Sequence, residues 1–581
     1  MPTKKSLVQN KELNSNLLRK KIWKIINLLE ANQLFVHSRN IEVSFTPEGK
    51  KKVEKKSLPE ILTICMLNAI APNSAMLLIG GHGGGKTSIC KLLGRMITGK
   101  SLKEIESSII RGHPQLTEEK LIGTLKLGEL MQGKEIVSWR KFVIDFWKII
   151  DEVNRLSPYA QDILLSLLAE GQVKYFDEVQ NISKFSLYAT INPQDVGTFE
   201  LSEPFLDRFG ISVPISMPTS HDLQIILKGK DEKYSGYDEL VQVPQVLTLD
   251  DLMEIWYQVD KIDCTTDANN IIHAIIREFT LCMRVDKGNI EQLKPGEGLC
   301  SGCHFNTKAN ICNKVSSILS VRVAKDLLRY SKALAWLMNL NKVELPLVVN
   351  VAPYVISHRV GFTDRELNAS PYYGNKLNYT KDLIDNVRKR YLNRKEAYDV
   401  LDKFRLGEGS ETDLQTLNKY VNNDLIVKMD LDPLIKTLNN KKYAEVAKEI
   451  TAASKRNDIE ILSKIKNELL ENIEFPNRGD LINRCNEELY KQTIRVFNFK
   501  YKYWQDIWAS IAVEFPELDE LIKQSFEKRQ TKQIRTKDLL IEINVSGTSE
   551  NSTVNFGISG GSDALKLKKL IEKEPFIEEN E

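Results

Sequence analysis

The 581-residue chain lacks an apolar run long enough to cross a membrane. A spanning helix needs about 20 predominantly apolar residues. The longest candidate, 343–356, holds Glu344, Asn350 and two prolines and reads as packed core. The opening Met1-Pro2-Thr3-Lys4-Lys5 leads into a polar segment, where a secretory signal would have its apolar stretch. Both absences predict a cytoplasmic protein. A charge excess is missing too: 81 Lys and Arg stand against 78 Asp and Glu, a net charge of +3. Strong nucleic-acid affinity is therefore not expected. The locally basic stretches Lys4 to Lys24 and Lys50 to Lys56 read as solvated surface. Cysteine is scarce, at eight residues. Cys65, Cys90, Cys264 and Cys485 are scattered and read as buried small side chains, and no disulfide framework is expected in a cytosolic chain.

What is present exceeds one core and suggests two to four domains. Residues 1–55 form a basic lead-in with a helical stripe at Leu17, Ile22, Ile25, Ile26 and Leu29. Leu58 to Ala69 is a second predicted helix, closed by Pro72. Ala75 to Ile79 is a short apolar run ending in glycines, the pattern of a buried parallel strand. A helix over Thr87 to Ile97 follows, closed at Gly99, and further strands are predicted at Trp147 to Ile150 and Phe185 to Ile191. Residues 56–215 thus read as an α/β nucleotide-binding domain, a parallel sheet flanked by helices. Beyond 215 the pattern is helical to about 540, with spacing such as Leu462, Ile465, Leu469 and Ile473 in a mainly α domain over 375–540. Residues 541–581 read either as a flexible tail or as a hairpin. The stretch 546–562 is rich in Ser, Gly, Asn and Thr, whereas Ile541, Ile543, Val545 and Val554, Phe556, Ile558 alternate like strands.

The chemistry centres on Gly80-Gly81-His82-Gly83-Gly84-Gly85-Lys86-Thr87, followed by Ser88. Glycines at this spacing let backbone N–H groups turn inward as an anion nest at a helix N-terminus. Lys86 can reach β- and γ-phosphates, and the Thr87 hydroxyl can coordinate Mg²⁺. Asp151 and Glu152 stand at the end of the predicted strand Trp147 to Ile150, the sheet edge at which ligands bind in open α/β folds. Asp151 is expected to hold Mg²⁺ and Glu152 to orient the attacking water. The strand over Phe185 to Ile191 ends in Asn192, placed to bond that water or the γ-phosphate. Sixteen residues on, Arg208 suits either a surface ion pair or a finger offered to a neighbouring subunit's phosphate.

Asp151-Glu152-Val153-Asn154-Arg155-Leu156-Ser157-Pro158 resembles the second-motif region of MoxR-type AAA+ ATPases. Leu164 to Val173 is similar to that family's next helix and hairpin turn. The run from Ala189 through Asn192-Pro193 and Gly197 to Asp207-Arg208-Phe209 matches almost position for position. The magnesium chelatase ATPase subunit is similar too. The resemblance covers about residues 56–362. It implies ATP as the nucleotide, Asn192 as sensor 1, Arg208 as arginine finger, and a helical lid over 216–362. Ser320-Val321-Arg322-Val323-Ala324 looks like the start of the sensor-2 helix, with Arg322 contacting the γ-phosphate from the lid, and Val351 to Arg359 looks like the lid's end. It also implies an oligomer, a ring of hexamer size, and a client or adaptor carrying a von Willebrand A-type domain.

Two features depart from the family. His82 stands where a proline or small turn residue is usual, and it is either a tolerated turn position or a phosphate contact. The second departure is an insertion at about 282–312, carrying Cys282, Cys300, Cys303 and Cys312, with His304 beside them. A C-x-x-C pair with two flanking cysteines can supply four thiolates to Zn²⁺ or to an iron–sulfur cluster, or stay a reduced thiol group in a loop. The reading is an ATP-hydrolysing remodelling motor that activates or matures a partner. The alternatives are a nucleic-acid motor and a nucleotide-binding scaffold with weak turnover.

Overall fold

The computed structural model describes residues 4–31, 34–47, 53–182, 184–193, 197–228, 243–279, 311–317, 319–405, 408–423, 441–456, 458–472, 475, 478–491, 493–528, 532–536, 539–546 and 552–572. It separates into two compact units, Met1–Asn393 and Arg394–Glu581.

In the first unit, five parallel strands form one sheet in the order Ile211–Ile215, Ser74–Gly80, Ser186–Ile191, Trp147–Asp151, Ile110–Arg111. Their near-continuous apolar sequences are what a sheet covered on both faces requires. Ala75, Leu77, Ile150, Leu187 and Ala189 share one core with Leu164 and Leu167 of the helix Pro158–Glu170. The expected helices appear as Glu60–Ile70 and Lys86–Thr98, the latter ending at Gly99 in the left-handed region. The helices Leu249–Asp260, Thr266–Glu278, Val321–Leu337 and Leu345–Ile356 follow the sheet in the chain. Among the described residues, no helix is long and apolar enough to cross a membrane.

The lead-in departs from its all-helical expectation. Its stripe lies on a helix, Lys4–Ala31, with Ile22, Ile25, Ile26 and Leu29 buried. Leu18 takes the place given to Leu17, which is exposed. Residues after it form a two-stranded antiparallel ribbon, Asn40–Phe45 with Glu54–Pro59, where Ile41, Val43 and Leu58 turn inward.

The second unit is mostly helical but contains a sheet that the helical reading misses. Helices Lys441–Lys455, Ile459–Glu471 and Arg478–Lys491 pack around Ile450, Leu462, Ile465, Leu469 and Leu481; Ile473 lies outside the described residues. Strand Thr493–Lys500 then opens a four-stranded antiparallel sheet with Thr553–Gly560, Leu539–Ser546 and Lys532–Arg535. Phe497 and Phe499, two residues apart, both face its core, which is the period of a strand. Leu539–Ser546 and Thr553–Gly560 pair in register from Leu539↔Gly560 to Ser546↔Thr553. The tail segment is therefore the hairpin of the two sequence readings. Ile541, Ile543, Val554, Phe556 and Ile558 point into the core with Trp504, Trp508 and Phe526.

Candidate functional site

The phosphate loop follows its strand and leads directly into the helix Lys86–Thr98. Gly83 and Gly85 have φ of 73° and 72°, the left-handed conformation that glycine adopts without penalty. Phe35 packs on the loop from the lead-in: a Cβ on Gly85 would lie 3.1 Å from its ring. Lys86 Nζ donates to the carbonyls of Gly80 (2.9 Å) and Gly81 (2.6 Å). Burial lowers the Lys86 ammonium from its ordinary value, and the Asp151 and Glu152 carboxylates oppose that shift.

One threonine joins the two acidic residues. Asp151 Oδ1 accepts from Thr87 Oγ1 and from Thr190 Oγ1, both at 2.7 Å. Thr190 Oγ1 in turn accepts from the Glu152 backbone N–H at 2.8 Å. That last bond holds Glu152 at φ 53°, a left-handed conformation that costs a non-glycine residue on the order of 1–3 kcal/mol. Gly112 makes room for this turn, because a Cβ there would come 1.9 Å from the Glu152 carbonyl oxygen. The Glu152 carboxylate pairs with Arg155 at 3.2 Å. Asn154 Nδ2 donates to the Asn192 carbonyl at 2.9 Å, tying the acidic turn to the neighbouring strand end. Asn192 is buried, and its side-chain amide meets the His82 ring, 2.5 Å from Nε2 and 3.2 Å from Nδ1. The structure thus brings together Thr87, Asp151, Glu152, Asn192 and His82; Lys86 belongs to the same loop. Thr190, Gly112 and Phe35 are the parts that reading the sequence misses. Thr190 stands inside a quoted motif, but its role depends on a strand pairing that no local pattern reveals.

Arg208 and Arg322 lie elsewhere. Gly210 N donates to the carbonyl of Ala75, at the start of the loop's strand, while Ile215 pairs with Gly80 at its end. Parallel strands rise about 3.3 Å per residue, so roughly 17 Å of sheet separates the Asp207–Gly210 turn from the chain's own phosphate loop. An arginine side chain does not span that gap. Helix Val321–Leu337, capped by Ser320, delivers Arg322 to this same turn. Asp207 accepts from Ser320 Oγ at 2.6 Å and from Arg322 at 2.9 Å. Arg359 donates to the Asp207 carbonyl at 3.0 Å and pairs with Asp326 at 2.5 Å. His358 Nε2 donates to the Phe209 carbonyl at 2.6 Å, and burial holds its ring well below its ordinary pKa, in the neutral form. Arg208 Nε is buried and makes no hydrogen bond among the described residues. Burial, and after it the Arg322 charge, lowers the pKa of its guanidinium. Arg322 thus stands beside Arg208 at the Asp207 turn.

Of the insertion cysteines, Cys282, Cys300 and Cys303, with His304, lie outside the described residues. Cys312 is half-buried. No group of three metal-ligating side chains occurs among the described residues.

The model of the AAA domain, dynein-related subfamily, matches residues 75–209. Residues 75–209 are similar to this AAA domain. The match runs from the strand before the phosphate loop to Phe209, and so takes in both the loop and the Asp207–Arg208 turn. ATP binding with Mg²⁺ and ATPase activity stand at the level of this family. An uncharacterized protein of Mycobacterium tuberculosis, Rv2850c, is 28% identical over 169 residues, which are 28% of this chain and 26% of that protein. The chain therefore spans about a quarter of the length of this curated relative. A crystal structure of a candidate ATPase from Cytophaga hutchinsonii superposes with a TM-score of 0.47 at 20% identity, over 66% of this chain and 97% of that one.

Proposed function

We propose that this AAA chain hydrolyses ATP in sites shared between subunits of a ring, and uses the cycle to remodel a protein client. The observation that carries the proposal is the division of the machinery between opposite ends of one sheet. The loop N–H groups and Lys86 bind the phosphates. The donor set fits a hard cation, since the Thr87 hydroxyl and Asp151 carboxylate converge at 2.7 Å. They would hold Mg²⁺, which when bound neutralises charge on the β- and γ-oxygens. Glu152 polarises the attacking water, and its strained turn aims the carboxylate from a fixed backbone position. Asn192 bonds that water or the γ-phosphate. Arg208 and Arg322 complete the next subunit's site, because neither reaches its own.

The MoxR-like reading rests on the resemblance at 151–158 and 189–209. It supports a client or adaptor with a von Willebrand A-type domain and cytoplasmic work; a metal or cluster on Cys282, Cys300, Cys303 and Cys312 rests on their spacing alone. Glu152→Gln is expected to keep ATP bound and to stop phosphate release. Unchanged release contradicts the proposal. Proteins retained on that variant with ATP identify the client, and a metal assay with a visible spectrum separates zinc, iron–sulfur and free thiol.

A further inference from the structure

The turn that carries Arg208 is held from two helices. Arg322, Asp326 and Tyr330 follow one another at intervals of four on helix Val321–Leu337 and so share a face. Arg322 bonds the Asp207 carboxylate, Asp326 pairs with Arg359 at 2.5 Å, and Tyr330 packs on Gly210, where a Cβ would come 2.6 Å from its hydroxyl. Helix Leu345–Ile356 is followed by His358 and Arg359, and the Arg359 N–H donates to the Ile356 carbonyl at 2.9 Å. These two residues take the carbonyls on either side of Arg208. His358 Nε2 donates to Phe209 at 2.6 Å and Arg359 Nη2 to Asp207 at 3.0 Å. The Arg208 N–H donates to the Phe205 carbonyl at 3.1 Å, so the peptide group entering Arg208 is bonded at both ends. The Arg359 side chain is only 3% exposed, and its Nε and Nη1 make no hydrogen bond among the described residues. Its Nη2 serves the Asp207 carbonyl and the Asp326 carboxylate together.

We propose that Arg359 is a positioning residue for Arg208, fixing the backbone from which the finger is offered to a neighbouring subunit. The inference rests on the reading of a site shared between subunits and concerns the same reaction. An arginine side chain is long and has many rotamers, so a guanidinium can be aimed reproducibly only from a fixed starting point. Arg359 supplies that point by tying the Asp207 carbonyl to Asp326 on helix Val321–Leu337. Its two carboxylate neighbours, Asp326 and Asp207 (3.6 Å from Nε), balance its buried charge. It touches no part of the chain's own phosphate loop, which lies at the other end of the strand that Gly210 joins at Ala75. A loss at Arg359 therefore has a direction. It weakens the site that the subunit's finger enters and leaves the subunit's own ATP binding intact.

The test uses the full chain and measures steady-state phosphate release and the ATP-induced rise in melting temperature. Wild type, R359M, R359K and R359M/D326N are compared alone and in mixtures of co-assembled subunits. R359M should lower kcat roughly 10²-fold, the scale of a catalytic group misplaced by about an ångström, with KM and the thermal shift near wild type. R359K keeps a charge opposite Asp326 on a shorter side chain, and its kcat should fall between the two. R359M/D326N removes the buried pair as a unit and should match R359M; it and R359K replace R359M in the mixtures if that variant does not fold. The decisive readout is direction. Mixed with Glu152→Gln, which keeps Arg208 and Arg359, R359M should regain turnover. Mixed with Arg208→Ala it should not, because neither subunit then offers a placed finger. Recovery with Arg208→Ala overturns the inference, as does a wild-type kcat in R359M or a folded R359M that recovers with neither partner. The underlying reading fails separately. If Glu152→Gln and Arg208→Ala subunits do not restore one another, the shared site and this inference fall together, whereas if they do and R359M departs from the stated pattern, only the inference falls.

Discussion

The two ends of the central sheet are built on opposite electrostatic plans. At the end where the strands finish, acceptors and amides hold one another: Asp151 is fixed by Thr87 and Thr190, Glu152 by Thr190 and Arg155, Asn192 by Asn154 and His82. At the end where they begin, Asp207 gathers Arg322 from helix Val321–Leu337, and Arg359, beside Arg208. At the first end the cations Lys86 and Arg155 are held by the Gly80 and Gly81 carbonyls and by Glu152. At the second, Asp207 and Asp326 hold Arg322 and Arg359, and Arg208 Nε has no hydrogen-bond partner among the described residues. The proposed function joins the two ends between copies of the chain.

This contrast can be broken or sharpened by substitution. Arg208→Ala should have the largest effect, a fall in kcat on the order of 10³–10⁵ with nucleotide binding retained. A small change would show that the cation end takes no part in hydrolysis. Glu152→Gln should lower kcat by about 10²–10⁴, the range for loss of a general base, and should trap ATP in a filter-binding assay. Thr190→Val keeps the shape but leaves the Glu152 N–H and one Asp151 bond unmet. It should cost about 1–3 kcal/mol, read as lower turnover and a lower melting temperature.

The last expected effect is on stability against pH, with none on the chemistry of the site. Lys148 is fully buried, donating to the carbonyls of Phe142, Val143 and Asp145. Burial brings its pKa down to about 7, with the Asp145 charge opposing. The folded chain then sheds this proton near pH 7, while the unfolded chain keeps it to roughly 10.4. Between those values unfolding takes up a proton, so raising the pH stabilises the fold. Denaturant titrations should show wild type gaining stability relative to Lys148→Met from pH 7 toward 10. A pH-independent difference would mean that the ammonium stays charged, held by its three carbonyls.

The acceptor end was largely legible in the sequence because its signals are local. A glycine loop, an acidic pair and an amide each follow an apolar run, and the loop's chemistry is carried by consecutive residues. Thr190 and Gly112 were not legible, since their roles arise from strands 38 residues and more apart being laid side by side. Arg208 and Arg322 were each visible through resemblance, but the pairing of Arg322 with Asp207, 115 residues earlier, depends on how helix Val321–Leu337 packs. The second unit was read as helical because Lys, Glu and Leu dominate its composition. Its sheet is held by alternation in short strands such as Thr493–Lys500, which compete poorly with long helical neighbours in any windowed pattern. The hairpin Leu539–Ser546 with Thr553–Gly560 was visible as alternation, though the polar residues between its strands also fit a linker.

The shared site is the central claim, and a mixing experiment tests it most directly. Glu152→Gln and Arg208→Ala subunits are each expected to be nearly inactive alone. Mixed, they form interfaces in which an intact Glu152 meets an intact Arg208, and phosphate release should recover to a substantial fraction of wild type. No recovery at any mixing ratio, in subunits shown to co-assemble, would contradict a site divided between neighbours.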